Sequence, residues 1–264
     1  MKSLLFKISS MLLLCLPVFA ANEIYITQVG TSNSFTLNIL QDGDDNEIRL
    51  SISHDSNNLD FDQIGENNTI SWVSYWGSGQ AWGGDLDGSS NTLKFEQYNT
   101  LGSDSNRIGF HISSSNNTVH ICQGKTFLDF DDTTCEPSTT GEYGGHTTNI
   151  DLHSGGTELK GSQETGTGNA DHYARIYTYG GDNNDIFFKQ KGNGNKTLHF
   201  IVRTDNGEQS MVQKGDGVHT ATIDLTGSYT TDLDLIQNSN SNQTYTLTNN
   251  CQTSSGCSIT VTQN

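Results

Sequence analysis

The chain has 264 residues, a formal net charge of −17, 32% hydrophobic residues, 28 Gly and only 2 Pro. So acidic a chain repels phosphate backbones, which argues against a nucleic-acid-binding module. It also lacks the repeated apolar runs of about 20 residues that a polytopic membrane protein needs. Low apolar content with high charge fits disorder, but the patterning described next specifies a repeat fold instead.

Residues 1–20 read as a signal peptide. Lys2 and Lys7 form a positive start, Met11 to Leu16 an apolar stretch, and Val18-Phe19-Ala20 a small-residue cleavage pattern. Residues 21–264 are expected to form a single domain, with no membrane span after cleavage. Four cysteines then remain, Cys122, Cys135, Cys251 and Cys257. An exported chain favours disulfides. Three connectivities are possible, and the local pairs Cys122–Cys135 and Cys251–Cys257 are the simplest. A zinc site built from all four thiolates is the alternative, but there is no Cys-x-x-Cys spacing.

Beyond the signal, one pattern recurs: Asn-x-h-x-h-x-Gln, where h is apolar. It runs from Asn22 to Gln28, Asn57 to Gln63, Asn91 to Gln97, Asn117 to Gln123 and Asn184 to Gln190. Its second half returns as Leu37-Ile39-Gln41, Leu233-Leu235-Gln237 and Ile259-Val261-Gln263, with degenerate copies such as Ile48-Leu50-Ile52, Ile108-Phe110-Ile112 and Leu198-Phe200-Val202. Period-two alternation predicts strands with one buried face, and nothing shows a helical period. The links are equally regular. Gln28-Val29-Gly30-Thr31-Ser32-Asn33 matches the segments Gln41 to Asn46, Gln63 to Asn68 and Gln190 to Asn195, with turn glycines at Gly30, Gly43, Gly65 and Gly192 and a further one at Gly215. Glycine admits positive φ in such a turn, and Asn tolerates it.

A strand, a turn, a second strand and a second turn return the chain one layer higher. The expected fold is therefore all-β: a β-solenoid with a period of about 22 residues, about eight two-stranded turns and extruded loops. The loops are expected near residues 73–90 (with Tyr75, Trp76 and Trp82), 124–148 and 154–182, with room for short strands of their own. The recurring amides share parity with the apolar residues, so they point inward. A buried amide without partners costs roughly 1–3 kcal/mol, which stacking on the same amide one layer up removes. The expected ladder residues are Gln28, Asn33, Gln41, Asn46, Asn57, Gln63, Asn68, Asn91, Gln97, Asn117, Gln123, Asn184, Gln190, Asn195, Gln237 and Gln263.

The motif Gln-x-Gly-x-x-Asn after alternating apolar residues, clearest in Ile26 to Asn33, resembles the curlin repeat. The resemblance is strongest over residues 22–72 and 184–215. It implies a secreted subunit, passed through the periplasm to the cell surface, that stacks end to end into an amyloid fibre for adhesion and biofilm matrix. Its partners would be copies of itself, with curli-type secretion or nucleation proteins. The chain departs from the curlin pattern at Val218, where Asn is expected, and in its four cysteines and three inserts.

No enzyme is expected: there is no Gly-x-Ser-x-Gly elbow, P-loop or His-Glu-x-x-His motif, and no cofactor is implied. The acidic turn Asp42, Asp44, Asp45 and Glu47 offers oxygens of the kind that bind calcium, but matches no calcium loop and reads more simply as a solvated turn. An alternative function is a capped, monomeric adhesin or phage-fibre-like module that binds glycans through its inserts. The copy at Ile259 to Gln263, near the end of the chain, argues instead for an uncapped, polymerising end. High negative charge should oppose that assembly, which is expected to quicken with salt or acid.

Overall fold

The computed structural model describes residues 22–28, 34–53, 55–63, 65–66, 68–70, 84–97, 106–113, 115–124, 145–153, 155–164, 171–191, 195–205, 207–215, 217–225, 232–238, 242–249 and 258–263. Every element among them is a strand. In chain order these are β1 (Asn22–Gln28), β2 (Thr36–Gln41), β3 (Asn46–Ile52), β4 (Asn58–Gln63), β5 (Asp85–Leu86) and β6 (Thr92–Gln97). There follow β7 (Ile108–Ile112), β8 (Thr118–Gly124), β9 (Thr147–Leu152), β10 (Glu158–Glu164), β11 (Asp171–Asp182) and β12 (Asp185–Lys191). The last are β13 (Asn195–Asp205), β14 (Glu208–Lys214), β15 (His219–Leu225), β16 (Asp232–Asn238), β17 (Gln243–Asn249) and β18 (Ser258–Gln263).

Odd-numbered strands form one nine-stranded parallel sheet and even-numbered strands the other, each in sequential order. This is a β-solenoid with two strands per turn. Its nine strands per sheet differ slightly from the expected eight turns.

Register explains the sequence pattern. Leu37, Leu59, Leu93, Val119, Leu159 and Ile186 occupy one inward column of the even sheet. In the next column Phe61 stacks on Phe95 with centroids 5.6 Å apart and planes 10° apart. Phe95 also meets Phe110 of the odd sheet across the core, at 5.3 Å. The core is therefore two or three apolar side chains deep per strand. Gly161 breaks the column where Ile121 and Phe188 are its neighbours. The Phe188 ring fills the space, and a Cβ on Gly161 would overlap it.

The turns from odd to even strands stack as well. Ser56, Ser90, Asn116, Gly156 and Asn183 each have φ between +59° and +71°, and each precedes the first inward residue of the next strand. Their amides bond to the turn one layer up: Ser56 donates to the Ser89 carbonyl at 2.9 Å, and Asn116 to that of Gly155 at 3.1 Å. Small or polar residues fill this left-handed slot because they tolerate it best.

Two of the expected loops need correction. The segment 154–182 is not an extruded loop, since it carries β10 and β11. Gly161 had hidden the alternation of β10, and in β11 the large rings Tyr173, Tyr177 and Tyr179 face outward while Ala174 and Ile176 face in. In the segment 73–90, Asp85–Leu86 is a strand. Ile70 bridges Ile48 and Ile108, and Asp85–Leu86 pairs with Ser51–Ile52. The tryptophan-rich insert is thus let into the middle of one rung. Tyr75, Trp76 and Trp82 lie outside the described residues, as does most of 124–148.

Candidate functional site: amide ladders, a histidine column and a tyrosine–arginine face

Eight glutamines form one unbroken ladder inside the even sheet. Nε2 of Gln63 donates to Oε1 of Gln41 at 2.6 Å, Gln97 to Gln63 at 2.9 Å, and Gln123 to Gln97 at 3.0 Å. The chain continues from Gln163 to Gln123 at 2.9 Å, Gln190 to Gln163 at 2.8 Å, Gln213 to Gln190 at 2.8 Å and Gln237 to Gln213 at 3.0 Å. Gln263 extends the register in β18.

The second Nε2 hydrogen has a separate use. Gln97, Gln123, Gln163 and Gln190 donate to the backbone carbonyls of Arg107, Thr147, Tyr173 and Thr197 at 2.9–3.2 Å. Each glutamine therefore clamps the end of an even strand to the start of the next odd strand. The span clamped ranges from 7 to 24 residues, so insertions at this turn leave the clamp in place. Gln163 and Gln213 were missed as ladder members. The first lay inside a presumed loop, while the second stood before a turn lacking its Asn.

Two asparagine ladders run beside it. In the even sheet Asn57 Nδ2 donates to Asn91 Oδ1 at 2.8 Å, and Asn91 to Asn117 at 3.2 Å. Further along, Asn184 accepts from the Thr157 amide at 3.0 Å. In the odd sheet Asn68 donates to Asn46 at 2.7 Å and Asn106 to Asn68 at 2.9 Å. Asn106 carried no expectation, because no Gln-x-Gly turn precedes it.

Three expectations about this machinery change. Asn195 is exposed, and the neighbouring Lys196 takes the buried position. Gln28 pairs with Ile52 of the odd sheet, whereas the glutamine ladder belongs to the even sheet. Gly65 has no positive φ; a Cβ there would lie 3.1 Å from the Gly43 Cα of the adjacent turn, a tight contact. Gly43 and Gly215 do adopt positive φ, +107° and +101°. Cys122 is disulfide-bonded and buried. Asn33, Gly30, Gly192, Cys135, Cys251 and Cys257 lie outside the described residues. Asp42, Asp44 and Asp45 are exposed, and the described residues hold no grouping of three or more such side chains placed to bind a metal.

Past Asn106 the odd-sheet column continues as His146, His172, Lys196 and His219, all essentially inaccessible to solvent. The substitution has a geometric basis. Asn68 Nδ2 donates to the turn carbonyl of Gly65 at 2.8 Å. His219 Nε2 reaches the Gly215 carbonyl at 2.9 Å, and His172 Nε2 the Lys191 carbonyl at 3.0 Å. Histidine thus replaces asparagine as donor to the turn.

His146 stacks on His172 at 5.0 Å, and neither of its nitrogens has a hydrogen-bond partner among the described residues. Burial and the neighbouring His172 hold it well below the usual imidazole range. Burial, helped by Lys196, pushes His172 down to about 3, and burial with Lys196 also lowers His219.

These shifts make the middle layers acid-sensitive. A neutral histidine with a depressed folded pKa imposes no cost above about pH 6.5, where the unfolded chain is also neutral. As pH falls toward the folded pKa, the unfolded state binds the proton and stability is lost at about 1.4 kcal/mol per pH unit per group. For His172 that window runs from 6.5 to about 3, or ~5 kcal/mol by the same conversion. Asp62, raised to about 6 by burial and by Glu96 and Asp60, and Asp151, raised by burial, act in the opposite sense. The double variant His146→Asn/His172→Asn leaves those carboxylates unchanged. Its urea-unfolding stability is expected to fall less steeply than the parent's between pH 6.5 and 4, by at least ~1 kcal/mol per pH unit. Parallel profiles would show that the column does not titrate as described.

A second feature lies on the outer face of the odd sheet, where Asn149, Asp151, His153, Arg175, Tyr177, Tyr179 and Arg203 occupy adjoining positions on β9, β11 and β13 and just beyond β9. The Arg203 guanidinium lies 5.6 Å from the Tyr177 ring centre and 5.7 Å from that of Tyr179. Tyr177 and Tyr179 are themselves 5.9 Å apart. No family model, curated protein or solved structure matches the chain. The fold class, a parallel two-sheet β-solenoid with internal amide ladders, is therefore established from the chain's own geometry.

Proposed function

We propose that this chain is an exported structural subunit that stacks end to end into a curli-like surface fibre. The observation that carries the reading is the match between its two end layers. Among the described strands, β1 and β2 at one end and β17 and β18 at the other are each paired on one side only. A single-sided strand is a row of unmet N–H and C=O groups, a template for another strand. Core residues there are only partly buried: Ile24, Ile26 and Leu37 at one end, Tyr245, Leu247 and Ile259 at the other.

Carrying the internal register across two copies sets β17 on β1 and β18 on β2. Tyr245 and Leu247 then fall over Ile24 and Ile26, Ile259 and Val261 over Leu37 and Ile39, and Gln263 over Gln41. Each apolar residue meets an apolar residue, and the glutamine ladder continues. A head-to-tail contact of this kind does not close, so it generates a filament. The phased Gln-x-Gly-x-x-Asn turns, on which the curlin resemblance rests, support the same reading.

The charge of −17 per chain, −19 once Lys2 and Lys7 are removed with residues 1–20, opposes stacking and is screened within about 10 Å at 0.1 M salt. Salt is therefore the cleaner variable than acid, which also titrates the histidine column. Thioflavin T time courses on the protein lacking residues 1–20 are expected to show a lag and growth phase whose lag shortens from 10 to 150 mM NaCl. A protein that stays monomeric for days at every salt concentration would defeat the proposal.

A further inference from the structure

The outer face of the odd sheet carries a feature that stacking does not require. Three cations on the outer faces of the two sheets are matched: Arg49 with Glu47 at 2.5 Å, Lys160 with Glu158 at 2.5 Å, and Lys94 with Glu96 at 2.7 Å. In a chain with 30 Asp and Glu against 13 Lys and Arg, that is the expected state. Arg203 is different. Among the described residues no carboxylate pairs with it, and it rests instead over Tyr177 and Tyr179. Tyr179 keeps half its surface exposed.

The surroundings are organised rather than incidental. Asn149 Oδ1 accepts from Arg175 Nη1 at 2.9 Å, which holds that guanidinium 5.3 Å from the Tyr177 ring centre. His153 packs on His111 at 4.7 Å and on Tyr179 at 5.3 Å. The carboxylate at the centre, Asp151, is buried and lies 3.2 Å from His153 Nε2, and Arg175 and His111 also act on it. Two guanidiniums and two rings thus share one flat face on rigid strands.

We propose that this face binds an acidic polysaccharide through one of its uronate residues. A guanidinium without a carboxylate partner calls for an external carboxylate, which it binds through two parallel N–H donors. The adjacent exposed tyrosine offers an apolar ring face with a negative π-cloud, suited to the C–H face of a pyranose. A nucleic acid would bring the same anion and a stacking base. It would also need a basic groove along its backbone, whereas this face offers two guanidiniums beside its rings; the chain's net charge opposes either polyanion alike. The site stands on the described strands, not on the inserts, and it does not depend on fibre formation.

Isothermal titration of the whole protein with polygalacturonate oligosaccharides tests it, with dextran oligosaccharides and oligothymidylate as comparison ligands. Saturable binding of the uronate alone is expected, weakened at least tenfold by Arg203→Gln and by Tyr179→Ser and unchanged by Arg49→Gln on the same sheet face. Circular dichroism and the melting temperature establish that each variant is folded. Equal binding of dextran, tighter binding of oligothymidylate, no saturation at millimolar uronate, or full affinity in folded Arg203→Gln would each overturn the assignment.

Discussion

Replacing Gln123 by leucine is expected to destabilise the fold by ~3–5 kcal/mol, an unusually large effect for a near-isosteric change. The reason is the number of partners left behind. Gln123 Oε1 accepts from Gln163 Nε2 at 2.9 Å and from Thr148 Oγ1 at 2.7 Å. Its Nε2 donates to Gln97 Oε1 at 3.0 Å and to the Thr147 carbonyl at 3.1 Å. The gain from a buried leucine is at most ~2 kcal/mol, whereas each orphaned buried group costs about 1–3 kcal/mol. Gln163 keeps its bonds to Thr148 and to the Tyr173 carbonyl, which limits the total. Gln41, in the end layer, accepts from Gln63 and so has one ladder neighbour where Gln123 has two; Gln41→Leu should cost less than Gln123→Leu. Urea unfolding of both variants under monomeric conditions checks the contrast. Equal losses at the two positions would show that the glutamines act singly rather than as a ladder.

The second large effect concerns the ends. Leu247→Asp is expected to leave the monomer folded, because Leu247 is only partly buried there, and to abolish fibre growth. In the stacked register its carboxylate would face Ile26 of the next copy in a dry contact. An unpaired buried charge costs several kcal/mol, and about 4 kcal/mol is a thousandfold in the elongation equilibrium. Such a variant keeps a good β1–β2 end, so it should add once to a growing tip and then stop it. Substoichiometric Leu247→Asp should therefore halt the elongation of parent seeds, read by thioflavin T and filament length. If the variant only dilutes the parent, growth does not proceed through these two ends.

How much was legible in the sequence depended on whether the inward column kept its chemistry. Where Leu, Phe and Gln repeat on one parity, as in β4 and β6, fold class and ladder were both readable. The pattern failed where a column changed residue type. Gly161 is silent in hydropathy, yet Phe188 of the next layer completes its place. In β11 the largest rings face outward, which inverted the expected parity and hid a whole layer. Lys196 and the three histidines occupy an asparagine column, and nothing in one sequence marks a lysine as buried. The tyrosine–arginine face was invisible for a related reason: its residues come from strands tens of positions apart, brought together by register alone.

Register is also the basis of the central claim, that copies of this chain stack through it. Fibre diffraction from aligned filaments of the protein lacking residues 1–20 tests that claim most directly. The nine layers per chain, at about 4.8 Å each, predict a meridional reflection at about 4.8 Å together with an axial subunit repeat of roughly 43 Å. Filaments with the 4.8 Å reflection but an axial repeat unrelated to nine layers would contradict end-to-end stacking, as would a protein that forms no filaments at all.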